Sequence, residues 1–262
     1  MCLIVFSWQP DSKYPLVLAA NRDEYYQRPT LDVSRWQDDP DIFGGRDLEA
    51  GGSWLAVNRN GRFAAVTNYR EVPVNNENRS RGELVSGFLT SRLSAREYLT
   101  SVSEQSSQWS GFNLLIADHS GLYYFSNRAP EKTIKPLQPG IYGLSNHLLD
   151  TPWPKLQQTR NGFADIITAS PNPDQLIQLM KDDKRSPVEQ LPDTGGGLEF
   201  EKLVSSCFIA SDNYGTRNTS VLIFDQVETL HWTEQSYLPN GVPGERQFFS
   251  LPMPLLVNPF LY

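Results

Sequence analysis

The 262-residue sequence predicts an α+β fold, a four-layer αββα sandwich of two mainly antiparallel sheets flanked by helical layers. Two observations favour it. Strand patterns occur in groups instead of alternating with helices, and two pairs of helical patterns separate those groups. Strands joined by short turns pair antiparallel, so grouped strands indicate antiparallel sheets. We find no internal repeat or composition break, and we expect a single domain over residues 1–262.

Strand patterns come first in the chain. Apolar, β-branched runs predict strands at Cys2–Trp8 and at 15–21. Two more predicted strands, 54–58 and 62–68, flank the dipeptide Asn60-Gly61. That dipeptide is typical of tight hairpins, because both turn positions favour a positive φ.

Helical spacing replaces the strand pattern between residues 81 and 104. Ser94 with Glu97 three residues later matches a capping box, so two consecutive helices are predicted there. Thr151-Pro152 matches an N-cap with proline at the first helical position, and Pro173 opens a further helix. The remaining predicted elements are strands at 112–117, 122–125, 133–135, 141–144, 207–210, 220–224 and 227–232, with a polar surface loop at 184–197.

Composition narrows the function classes. The net charge of −7 argues against binding to a nucleic-acid backbone. No apolar run approaches the roughly 20 residues of a spanning helix, so we expect no stable membrane insertion. With two cysteines and no visible signal peptide, a cytoplasmic location is expected. The histidines and cysteines lack metal-ligand spacing, so no metal site is predicted.

Cys2 is the most suggestive functional group. Removal of Met1, which requires a small second residue, would leave one residue with a thiol and an α-amine. The amine, with a usual pKa of about 7.7–8.0, can accept the proton of the thiol, so one residue supplies nucleophile and base. The alternative is a buried cysteine of a strand.

The tetrapeptide Asn21-Arg22-Asp23-Glu24 ends the second predicted strand. Strand alternation places Asn21 and Asp23 on one face and Arg22 and Glu24 on the other. Arg22 can lower the pKa of a nearby thiol, and Asp23 or Glu24 can hold an α-ammonium group. A solvated cluster of ion pairs at a strand end is the alternative.

Several other polar segments lie beside predicted strands. The glycine pairs 44–45 and 51–52 predict loops near a pocket, or ordinary loops. Asn68 and Asn146 follow strands, where an asparagine amide serves as an oxyanion donor or as a turn residue. Arg217 offers a further cation. His147 is the only histidine beside another candidate, so it is either a haem ligand or a solvated or capping histidine.

Taken in chain order, these segments resemble the NRDE family, whose eukaryotic members are the Transport and Golgi Organisation proteins. The resemblance spans most of the chain. The matching segments are Met1-Cys2, Asn21-Arg22-Asp23-Glu24, Gly44-Gly45-Arg46-Asp47 through Gly51-Gly52-Ser53-Trp54, Thr67-Asn68-Tyr69-Arg70, Ser80-Arg81-Gly82, residues 146–155 and Tyr214-Gly215-Thr216-Arg217.

The resemblance implies the fold of the N-terminal nucleophile hydrolases, a four-layer αββα sandwich. Cysteine members of that group, bile salt hydrolases and penicillin acylases, start Met-Cys and carry an arginine and an aspartate after the second strand. Those hydrolases space that pair three residues apart, whereas Arg22 and Asp23 are adjacent here. By this resemblance, the catalytic residues would be Cys2, Arg22, Asp23, Asn68, Asn146 and Arg217.

Two functions are implied. One is a cysteine amidase or acyl-transfer enzyme acting on an amide or acyl-linked small molecule. The other is a non-enzymatic carrier of haem or of an acyl lipid, with no required cofactor. Haem as cargo would take Cys2 or His147 as its single protein ligand, within apolar and aromatic walls. Its propionates would meet Arg22, Arg70 or Arg217.

The element order places the main candidates at one edge of a sheet. We predict that Cys2, Arg22, Asp23 and Asn146 converge on one cleft there.

Overall fold

Two antiparallel sheets form the centre of the computed structural model, which describes residues 2–9, 12–72, 79–168 and 170–254. The strands are β1 Cys2–Trp8, β2 Leu16–Tyr25, β3 Thr30–Arg35, β4 Ile42–Asp47, β5 Leu55–Asn58, β6 Phe63–Asn68, β7 Phe112–Asp118, β8 Gly121–Ser126, β9 Lys135–Pro136, β10 Gly140–Leu144, β11 Tyr214–Phe224, β12 Thr229–Leu238 and β13 Val242–Pro252. The α-helices are α1 Gly82–Thr90, α2 Ala95–Glu104, α3 Pro154–Ile167, α4 Pro173–Met180 and α5 Leu198–Leu203.

The two sheets differ in how the chain runs through them. One has six strands in the order β10-β1-β2-β11-β12-β13, and the other has seven strands, β3 to β9, in chain order. Helices α1 and α2 pack on the seven-stranded sheet, and α3 and α4 pack on the six-stranded one. Apolar side chains from both sheets, such as Phe6, Leu18, Leu55 and Trp232, fill the space between them. The predicted αββα sandwich is therefore confirmed.

Helix starts follow the predicted capping chemistry in two of three cases. Ser94 and Glu97 form the capping box at the start of α2, and Asn172 caps α4 at Pro173. Helix α3 begins at Pro154, two residues after the predicted proline. The Thr151 hydroxyl donates to the Leu148 carbonyl and contacts the His147 ring, so it does not cap the helix.

One glycine prediction is wrong, and a second is correct for the hairpin but not for its turn. Gly44 and Gly45 lie inside β4, which pairs with β3 and β5. Neither has room for a side chain: a Cβ at Gly44 would be 2.6 Å from that of Ala56. A Cβ at Gly45 would lie 2.1 Å from the Trp54 ring. The predicted hairpin is confirmed, since β5 and β6 pair antiparallel, but between them only Gly61 has a positive φ, and four residues separate the strands. The longer loop replaces the two-residue turn.

Other elements depart from the prediction through tertiary contacts. The second strand extends to Tyr25, since β11 pairs along its whole length. Residues 207–210 are not a strand, because the Phe208 amide bonds to Asp182 and the Cys207 carbonyl accepts from the Asn21 side chain. Strands β3, β4 and β13 and helix α5 were not predicted. Among the described helices, none has the length and apolar character to cross a membrane.

Candidate active site

A cleft of about 700 Å³ lies between the sheets, at the beginning of β1 and the end of β2. Its walls also include parts of β4 and β6, the segment that leads into β5, and the start of α1. The charged lining residues are Arg22, Asp23, Glu24, Arg28, Asp47, Glu71, Arg79 and Arg81. Ala50, Trp54 and Val66 are among the few apolar ones. The size suits a small molecule, and the lining suits one with polar or charged groups.

Cys2 and Arg22 form a cross-strand pair. The β1–β2 register sets them directly opposite each other, so both side chains lie on the same face of the sheet. Ile4 and Phe6, on that face of β1, pack in the core between the sheets. The Cys2 side chain therefore points between the sheets at their open end, where it lines the cleft.

The Cys2 thiol is free and only 9% exposed. Burial raises its pKa, and the Arg22 guanidinium opposes that rise without reversing it. Arg22 thus lowers the pKa of the thiol as the sequence predicts, but burial outweighs it. In the folded protein the resting group is a neutral thiol, which needs a base to become a nucleophile.

Arg22 is 5% exposed and lies against an aromatic ring. Its guanidinium carbon is 4.2 Å from the centroid of the Trp54 ring, and its Nη1 donates to the Thr30 hydroxyl at 3.3 Å. The ring face provides a cation–π contact in place of a carboxylate. Sequence reasoning missed Trp54, whose only signal was its position after the glycine pair 51–52.

Asp23 lies on the opposite face of β2, as the predicted alternation requires. It is buried and accepts a hydrogen bond from the Thr216 hydroxyl at 2.8 Å. Burial raises the pKa of its carboxyl, and the charge of the buried Lys155 lowers it in part. Because β1 runs antiparallel to β2, the backbone nitrogen of Cys2 lies on the Asp23 side of the Cys2–Arg22 pair. Met1, whose removal would free that nitrogen, lies outside the described residues.

Asn68 and Asn146 form a hydrogen-bonded pair beside the cleft. The Asn146 Nδ2 donates to the Asn68 Oδ1 at 2.9 Å and to the Asn68 carbonyl at 3.3 Å. Asn68 lines the cleft, whereas Asn146 is fully buried behind it. Because the Asn68 Oδ1 is occupied, its Nδ2 is left as a donor, with no hydrogen-bond partner in the described part of the chain.

His147 is held by its neighbours. Its Nε2 contacts the Tyr69 hydroxyl at 2.6 Å and its Nδ1 contacts the Thr151 hydroxyl at 2.8 Å. The ring also lies beside those of Tyr69 and Trp153. Burial lowers its pKa. With both ring nitrogens engaged, neither is open to a ligand.

Two of the predicted arginines serve other contacts. Arg217 lies at an irregularity of β11 and donates to the carbonyls of Tyr25 and Arg28 at 2.9 and 3.1 Å. Arg70 pairs with Glu201 at 2.7 Å, with both side chains buried. The cleft therefore brings together Cys2, Arg22, Asp23 and Asn68, while Asn146 contacts it through Asn68 and Arg217 lies outside its lining.

Arg81 lines the cleft and was not among the predicted catalytic residues. It directly precedes α1, is half-buried, and donates from Nη1 to the Gly111 carbonyl at 3.3 Å. The one available signal was its position in Ser80-Arg81-Gly82. Across the described ranges, no group of three His, Cys, Asp or Glu side chains could hold a metal ion.

Comparison with solved structures supports the fold. An N-acylethanolamine-hydrolyzing acid amidase ortholog of Caenorhabditis elegans aligns with a TM-score of 0.50 and 11% identity, covering 85% of this chain and 92% of that one. The C2A mutant of the conjugated bile acid hydrolase of Clostridium perfringens aligns over 97% of this chain and 92% of its own, with a TM-score of 0.44 and 9% identity. At 11% identity, the first likeness shows a shared N-terminal nucleophile hydrolase-like fold and nothing of the reaction.

Comparison of sequences gives the family. The Transport and Golgi organization protein 2 homolog of Bos taurus is 35% identical over 263 residues, and the Homo sapiens homolog is 36% identical over 259; each alignment covers 91% of this chain and 94% of the relative. The Drosophila melanogaster protein is 27% identical over 275 residues, covering 94% and 95%. The family model "Transport and Golgi organisation 2" matches residues 1–239. This chain belongs to the Transport and Golgi organisation 2 family.

Proposed function

We propose that this protein is an N-terminal nucleophile-type cysteine enzyme that hydrolyses or transfers the acyl group of an amide- or acyl-linked small molecule. One observation carries the proposal: the Cys2 thiol, at the first position of β1, lines a 700 Å³ cleft with Arg22 directly opposite. An N-terminal nucleophile needs its thiol and its α-amine at the same cleft, and the start of a strand at a sheet edge provides that.

The proposed reaction begins after removal of Met1. The freed α-amine takes the thiol proton as Cys2 Sγ attacks the carbonyl carbon of the substrate. The tetrahedral intermediate collapses to a Cys2 thioester, and the α-ammonium protonates the leaving amine or alcohol. Water, or an acceptor amine or alcohol, then attacks the thioester and releases the acyl group. This order suits a buried thiol, since charge forms on sulfur only during attack.

Neighbouring groups have separate roles in this scheme. Arg22 stabilises the forming thiolate, and Asp23, next to the Cys2 nitrogen in the strand register, holds the α-ammonium. Asn68 donates its Nδ2 to the oxyanion. Asn146 acts as a positioning residue, because its donation to the Asn68 Oδ1 turns the Asn68 Nδ2 outward.

The alternative, carriage of haem, has less support. His147 has both ring nitrogens in hydrogen bonds, which leaves Cys2 as the remaining candidate ligand. The described cleft lining is mainly polar or charged, whereas the porphyrin ring calls for apolar walls. Of the arginines expected near the propionates, Arg70 is paired with Glu201 and Arg217 lies outside the cleft lining.

The test is to trap the acyl-enzyme. Natively purified protein is incubated with a panel of N-acyl amides and acyl esters, and intact-mass and peptide measurements follow Met1 and Cys2. We expect loss of Met1, an acyl adduct at Cys2 and no adduct in Cys2→Ala. Asn68→Ala should slow acylation by about 10²–10³-fold, the usual cost of losing one oxyanion donor.

Cys207→Ala is the matched control, since Cys207 is the other cysteine and lies in the apolar cluster beneath α3 and α4. Its acylation rate should equal that of wild type. Retention of Met1 in the native protein, or absence of adducts with every acyl donor, would contradict the proposal. A saturable shift of the haemin Soret band that Cys2→Ala abolishes would then favour the carrier.

A further inference from the structure

Two arginines of the cleft have no carboxylate partner among the residues that the structure describes. Arg28 pairs with Asp47 at 2.7 Å and Arg79 with Glu83 at 2.8 Å. Over the described ranges, neither Arg22 nor Arg81 has a carboxylate within 4.0 Å. Each donates one hydrogen bond from Nη1, at 3.3 Å, to an uncharged oxygen.

Leaving these guanidiniums without an anion is costly. Arg22 is 5% exposed and Arg81 is half-buried. Removing a cation from water without pairing it costs free energy, so buried charges are normally paired. A guanidinium has five N–H donors, and each of these arginines uses one in the described contacts. Glu24 lines the same cleft, but its Oε1 accepts from the Tyr25 amide.

Both guanidinium groups lie near the Cys2 thiol. Cys2 and Arg22 are cross-strand partners, which puts their Cβ atoms about 4.5–5.5 Å apart. Arg81 reaches the cleft from the other sheet's helical layer, at the start of α1. Burial lowers the pKa of both guanidiniums, and an ionised Cys2 would raise it, so Cys2 lies within electrostatic reach of each.

We propose that Arg22 and Arg81 form an anion-binding subsite. It would hold a carboxylate or phosphate that the substrate carries within a few bonds of the carbonyl attacked by Cys2. This inference rests on the proposed function, because only an enzyme would bind the anion as part of a substrate. It adds the substrate class, an anionic acyl or amide compound, and it makes Arg81 a specificity residue. Guanidinium groups match the planar or tetrahedral oxygens of such anions with paired donors.

Two alkylating reagents of similar size, one anionic and one neutral, test the subsite. Iodoacetate carries a carboxylate and iodoacetamide does not, while both alkylate the same sulfur. We expect the ratio of their rate constants at Cys2, divided by the same ratio for glutathione, to exceed about tenfold, the factor that one charge-assisted hydrogen bond provides. Peptide mass measurement assigns the rates to Cys2, in a phosphate-free buffer.

Variants assign the effect to the arginines. Arg81→Gln should bring the normalised ratio toward one, and Arg22→Gln should do the same if it folds. The control is Arg59→Gln, which makes the same charge change at an exposed arginine outside the cleft lining. A wild-type ratio near one, or a ratio that Arg81→Gln leaves unchanged, would overturn the subsite.

Anion binding gives an independent readout, which also decides the question if Cys2 reacts slowly. Inorganic phosphate and acetate are added separately while the unfolding temperature is measured, because an anion that binds the folded state raises it. A rise with one anion that Arg81→Gln removes supports the subsite and tells phosphate from carboxylate. Equal rises in wild type and Arg81→Gln count against it.

These results are separable from those on catalysis, since alkylation and anion binding need no free α-amine. Anion preference without a Cys2 acyl adduct would keep the subsite and remove the enzyme proposal. An acyl adduct at Cys2 without anion preference would keep the enzyme proposal and remove the subsite.

Discussion

The buried carboxyl group of Glu234 makes stability depend on pH in an unusual direction. Glu234 lies on β12, is 3% exposed, and accepts hydrogen bonds from the Ser220 hydroxyl at 2.6 Å and the Val33 amide at 3.1 Å. Burial raises its pKa from 4.5 to about 7, because the charged form loses its hydration. The folded protein therefore binds this proton more tightly than the unfolded chain does.

The sign and size of the effect follow from linkage. The stabilisation is fully present below pH 4.5 and is lost as pH rises through about 7. Between pH 5 and pH 8, this group should lower the free energy of unfolding by about 2–3 kcal/mol. Glu234→Gln removes the titration while keeping the shape of the side chain, so that variant should not show this loss.

Urea denaturation of wild type and Glu234→Gln at pH 5 and pH 8 measures the difference. The free energy of unfolding of the variant, relative to wild type, should rise by about 2–3 kcal/mol between the two pH values. Glu104→Gln, at an exposed position on α2, should follow wild type at both. The reasoning is refuted if the Glu234→Gln difference is the same at pH 5 and pH 8.

Two further predictions concern the support of the site. Glu201→Gln leaves the buried Arg70 guanidinium without its partner and should lower the free energy of unfolding by about 3–5 kcal/mol in urea denaturation; a loss below about 1 kcal/mol would contradict this. Asn146→Ala frees the Asn68 amide to turn, so kcat for acyl transfer should fall about tenfold or more at unchanged KM. An Asn146→Ala enzyme with normal kcat would show that Asn68 needs no such support.

The fold class was predictable because it depends on element order, which hydrophobic periodicity reports. The elements that were missed lack that signal. Strand β13 is mostly exposed and carries Pro243, Gly244 and two charged residues, so no alternation marks it. Strand β4 contains a glycine pair that indicates a loop locally, and its pairing with β3 and β5 makes it a strand. The close approach of Ala56 to Gly44 and of Trp54 to Gly45 explains why glycine occupies both positions.

The same division applies to the site. Polar residues at strand ends are visible in sequence, and Cys2, Arg22, Asp23 and Asn68 line the cleft as such residues should. The hydrogen-bond and ion-pair partners of these side chains cannot be read from the sequence, because they lie far away along the chain. The Asn68 Oδ1, for example, accepts a hydrogen bond from the side chain of Asn146, which lies 78 residues later in the chain.

Pairing, more than position, determines which charges of the cleft are available. Arg70 and Arg22 both follow predicted strands, and both look like site cations in the sequence. Glu201 of α5, a helix that no periodicity indicated, neutralises Arg70. Arg22 instead meets Trp54 and Thr30, neither of which neutralises it. Arg70 also lies over an aromatic ring, with its guanidinium carbon 4.7 Å from the centroid of Trp153, so an aromatic contact does not separate the two arginines. The carboxylate partner does: Arg70 has Glu201, whereas Arg22 has none among the described residues and so keeps its charge for the anion that we propose.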